Sequence, residues 1–331
     1  MMSDTGLQGT IAAIAATGTI TPDDVLVLRR LVYGDGLSSR SDVESLFELD
    51  AACGTKCEDW VDFFIEAVTD HLVHQEKPHG HISGENAAWL VGMISRDGVV
   101  DSLTELEMLI RVLEKAKSSP EQLSAYAVGQ VGLAVVEGSG PLARRRRLQP
   151  GVIDSDEVEL LRRILFAFGG DGNIAITRAE ADVLLKINDR TAEVGNDPAW
   201  NELFVQAIAN FVLAASGYEP PSRQEALRRE TFLDSGGDGI GGFFSRMVSG
   251  GLAGIIEAYE QPSDTELGWA EINRKREESF ARIDENEARW LAEKFGGNRE
   301  LHENERAVLA FIKQHARVVH PDLKPLLDKV A

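Results

Sequence analysis

Cysteine is almost missing from this chain: 331 residues contain two, Cys53 and Cys57, in the run CGTKC. Two such residues cannot form a disulfide framework, and a reducing compartment suits them. Long apolar runs are also missing. No stretch approaches about 18 uninterrupted apolar residues, so no membrane-spanning helix is expected. The start, Met1-Met2-Ser3-Asp4, lacks the basic and then apolar regions of a secretory signal, so a cytoplasmic location is expected. Positive charge is scarce, with 34 Lys+Arg against 54 Asp+Glu and a formal net charge of −20. Phosphate neutralisation needs clustered cations, so nucleic-acid binding is not expected, nor is docking on an anionic membrane. Strand-like alternation is absent over any useful length. What the chain does have is 43% hydrophobic residues, enough for a sizeable core. At roughly 150 residues per domain, the length fits about two domains.

Self-similarity is the dominant pattern. LRRL at 28–31 recurs as LRRI at 161–164, followed by GDG at 34–36 and GGDG at 169–172. DWVDFFIEAVTDHLV (59–73) matches AWNELFVQAIANFVL (199–213), placing Trp60, Phe64 and Ala67 on Trp200, Phe204 and Ala207 at an offset of 140. ISGENAAWL (82–90) matches IDENEARWL (283–291), placing Trp89 on Trp290 at an offset of 201. The rise in offset implies a 61-residue insertion in the second copy. The expected organisation is a tail at 1–19, a helical unit at 20–137, a basic linker at 138–151 and a second unit at 152–331. The second unit carries a Gly-rich insertion at 218–282.

A short element recurs inside each unit: GTITPDD (18–24), GHISGEN (80–86), GVVDSLTE (98–105), GVIDSDE (151–157) and GNIAITRAE (172–180). Glycine permits the turn, and the apolar residue packs back as a hydrophobic staple. Ser, Thr or Asp then caps the first helical turn, assisted by an acid in a capping box. Apolar spacing at i, i+3, i+4 and i+7 follows, as at Leu106, Leu109, Ile110 and Leu113. The expected fold is all-α, a tandem duplication of a multi-helix bundle. Its helices are predicted near 22–33, 41–51, 58–74, 84–95, 102–116, 120–136, 155–168, 177–188, 198–215, 284–295, 302–315 and 321–330. Trp60 and Trp200 are expected to anchor the two cores.

A glycine-centred turn between helices is also how an EF-hand loop reads, so each was set against the calcium pattern. Around Gly98, positions 1, 3, 5 and 12 fall on Met93, Ser95, Asp97 and Thr104. Around Gly172 they fall on Ala167, Gly169, Asp171 and Arg178, and around Gly80 on Gln75, Lys77, His79 and Asn86. The loop at 234–245 has Asp234 and Asp238 but ends in Ser245. None supplies the carboxylates that tight calcium binding needs. The segments RDGVVDSLTELEML (96–109) and GGDGNIAITRAEADVLL (169–185) resemble the tellurite-resistance TerB-like helical domain. The resemblance implies a metal-associated stress-response scaffold, not a catalyst. It would place Asp97 and Glu105, or Asp171 and Glu180, near any bound cation. GGNREL (296–301) departs from the pattern, with Asn298 and Arg299 in place of Asp and Gly, which counts against a two-site arrangement.

A second metal candidate comes from composition. His71, His74, His79 and His81 lie in DHLVHQEKPHGH, with Asp70, Glu76 and Glu85 close by. Imidazole with carboxylate suits a divalent ion such as zinc or nickel, and a polar helix end with a solvated loop is the alternative. In the insertion, Phe243, Phe244, Met247, Val248 and Ile255 fall on one helical face. Such a stripe packs on the protein's own core or docks a protein partner or second subunit. ARRRRL (143–148) is the one basic cluster, read as a linker or a contact with an acidic helix. No nucleophile elbow, phosphate loop, zinc-protease helix or dinucleotide fingerprint is found. The functional expectation is a non-catalytic binding scaffold, with a divalent ion (zinc, nickel or calcium) as its candidate cofactor. A degenerate EF-hand-like interaction module and a metal-dependent hydrolase are the alternatives.

Overall fold

A computed structural model describes residues 4–34, 39–95, 97–145, 150–167, 176–214, 282–296, 300–316 and 318–330. The class is all-α: the only strands among these residues are two-residue pairs. No described helix is long and apolar enough to cross a membrane.

Helix starts are set by side-chain caps. Thr21, Ser39, Ser83, Ser102, Asp154, Thr177 and Asp284 each accept a hydrogen bond from an amide of the first turn. Those caps begin α2 (Pro22–Val32), α3 (Arg40–Ala52), α5 (Gly84–Ile94), α6 (Leu103–Lys115), α9 (Ser155–Leu165), α10 (Arg178–Thr191) and α12 (Glu285–Phe295). Ahead of five of these caps stands a buried isoleucine: Ile20, Ile82, Ile153, Ile176 and Ile283. This is the staple expected from the recurring sequence element. The turn that brings it round requires left-handed backbone at Gly18 and Gly151, whose φ values are +69° and +95°.

The order of elements recurs along the chain. α2, α5, α9 and α12 each have 11 residues. The helices that follow them, α3, α6, α10 and α13 (Glu303–His315), have 13, 13, 14 and 13. Each hairpin is closed at its base by a backbone bridge from the residues before its first helix to those after its second. β1 (Thr19–Ile20) pairs in parallel with β2 (Thr55–Lys56), and His81 bridges Ser118. The Asp197 amide donates to the Ile153 carbonyl, and β3 (Arg282–Ile283) pairs with β4 (Val318–Val319). A third helix then departs: α4 (Glu58–Asp70), α7 (Glu121–Gly132) or α11 (Pro198–Ala214). After β4 its place is taken by a 3-10 turn at Pro321–Leu323 and a short α14 (Lys324–Leu327).

Two compact units are present, and the described residues divide between them at Leu123 and Ser124. The division falls inside α7, ahead of the linker expected at 138–151. The reason is that α7 continues through a π-helical turn at Leu133–Glu137, and that turn packs against α10. Within the expected linker, Gly140–Arg145 is itself helical (α8). The expected tail also differs. Asp4–Thr17 forms α1, whose Leu7, Ile11 and Ile14 are buried where it packs on α3 and α2. The i, i+4, i+7 stripe was present in the sequence, but no cap and staple announced the helix.

In the first unit, α4 is the central element. Trp60, Phe63, Phe64, Ala67 and Val68 have no exposed surface, and the helix packs chiefly on α6 and α2. Trp60 stacks on Phe64, with ring centroids 5.4 Å apart. In the second unit α11 holds the corresponding place, packing chiefly on α13 and α9 and burying Trp200, Leu203, Phe204, Ala207 and Ile208.

Candidate functional site

The histidines lie where α4 gives way to a π-helical turn at His71–Gln75. His71 is buried, its ring edge-on to Trp89 with centroids 6.2 Å apart and its Nε2 3.5 Å from Glu76 Oε1. His81 is buried too, with Nδ1 2.6 Å from Ser118 Oγ. His74 and His79 are exposed. Asp70 accepts from the Gln75 amide, and Glu85 lies 3.9 Å from Arg40. The π-helical turn carries His71 and His74, the first buried and the second exposed. Among the described residues, no group of three or more His, Cys, Asp or Glu side chains stands where it could hold a metal ion. The second unit shows what the His71 position does mechanically. Phe211, at the matching place, packs edge-on against Trp290 with centroids 4.8 Å apart, as His71 packs on Trp89.

The acidic turn residues face their own helices. Glu105 is buried and accepts from Ser102 Oγ at 2.8 Å. Burial pushes its carboxyl above the ordinary glutamate value, and the Ser102 hydrogen bond opposes that rise. Glu180 is buried and accepts from the Thr177 amide at 2.7 Å. Asp97 is exposed and accepts from the Val99 amide at 3.1 Å, an Asx turn. Asp171 lies outside the described residues, as do Phe243, Phe244, Met247, Val248 and Ile255. Each described position that the TerB-like resemblance assigned to a cation, Asp97, Glu105 and Glu180, thus accepts a hydrogen bond within its own turn or helix start. Both cysteines are free thiols, and burial pushes Cys53 above the ordinary thiol value.

A constellation not read from the sequence lies at the tryptophans. Trp60 Nε1 donates to Asp50 Oδ1 at 2.8 Å, and Asp50 Oδ2 meets Lys56 Nζ at 2.6 Å. Trp89 Nε1 donates to Glu44 Oε1 at 2.9 Å, beneath the Arg40 guanidinium 5.2 Å from its ring. Trp290 Nε1 donates to Asp182 Oδ1 at 3.2 Å, and Asp182 pairs with Lys294 at 2.8 Å. Glu44 and Asp182 both stand five residues after a helix cap, Ser39 and Thr177 respectively. That shared register is a signal that sequence reading could have used. Asp50 and Asn188 share a second register, eleven residues after the same caps. There the units differ: Trp200 Nε1 and Asn188 Nδ2 are buried without a hydrogen-bond partner. Trp60→Phe is therefore expected to destabilise its unit more than Trp200→Phe destabilises the other, by about 1–2 kcal/mol. Urea unfolding of the two variants against wild type measures the difference.

No family model, curated protein or solved structure matches the chain.

Proposed function

We propose that the chain is a non-catalytic helical binding scaffold, of the kind that tellurite-resistance TerB-like domains exemplify, working through contacts with a protein partner or a second copy. One observation carries the reading: the turn glutamates Glu105 and Glu180 are buried against their own helix starts, which makes them parts of the frame. The docking element in this proposal is the apolar stripe of Phe243, Phe244, Met247, Val248 and Ile255. The same proposal has the two units descend from one duplicated ancestor. The matched tryptophan cores, the nearly equal helix lengths and the shared indole–carboxylate register support it.

Titration calorimetry of the metal-free protein with calcium, zinc and nickel tests the scaffold reading. No saturable heat at micromolar ion is expected. Micromolar calcium binding would favour an EF-hand-like module instead. Zinc binding abolished by His79→Ala with His81→Ala would restore the histidine cluster as a metal site.

A further inference from the structure

We draw no further inference here: the strongest candidate, the exposed apolar surface patch of Leu26 and Val27 on α2, is an unpartnered helix face, and nothing in the structure shows what covers it.

Discussion

Trp60→Ala and Trp200→Ala are each expected to destabilise the unit that holds them by roughly 3–5 kcal/mol, among the largest single-residue effects in the chain. Both side chains are fully buried on the central helix of their unit, against Phe64 in one case and Phe204 in the other. Truncation removes a large apolar surface and leaves a cavity that helices locked by caps at their starts cannot readily collapse into. Trp60→Ala also strips Asp50 of its indole donor while Lys56 remains beside it, so its loss should lie toward the upper end. Chemical denaturation followed by circular dichroism measures both. A loss below about 1 kcal/mol at either position would show that these indoles do not pin the cores.

Trp290→Ala is expected to cost about 3–5 kcal/mol, and Trp89→Ala clearly less. The sequence pairs the two tryptophans, yet Trp290 is 2% exposed and Trp89 only half-buried. Trp290 packs against Phe211 and donates to Asp182, whose partner Lys294 would be left with a carboxylate missing its second hydrogen bond. Trp89 lies under Arg40 beside the more polar ring of His71, where water can replace part of what truncation removes. Equal losses at the two positions would contradict this ranking.

The helices were legible because their starts carry both signals at once. At Ile20-Thr21, Ile153-Asp154 and Ile283-Asp284, a staple residue, a capping side chain and an acid three positions on leave little freedom in where the helix begins. α1 lacked those signals and showed only its apolar stripe, so it read as a tail. The site was less legible, and for a definite reason. Sequence spacing places carboxylates near a turn but does not say which way they point. Glu105 and Glu180 have the composition of ion ligands and the geometry of capping groups. The placement of the histidines was equally hidden from spacing. Four rings within eleven residues suggest a cluster, but a π turn after Asp70 sends His71 into the core and leaves His74 at the surface. The parallel bridges at the base of three of the hairpins were not foreseen, because such short pairings carry no alternation to detect.

The most direct test of the frame is native-state hydrogen exchange mapped along the whole protein. The slowest-exchanging amides should lie in α4, around Phe63–Val68, and in α11, around Leu203–Val212, with α6 and α13 next. Maximal protection elsewhere, or rapid exchange along either central helix, would contradict a structure organised around those two elements.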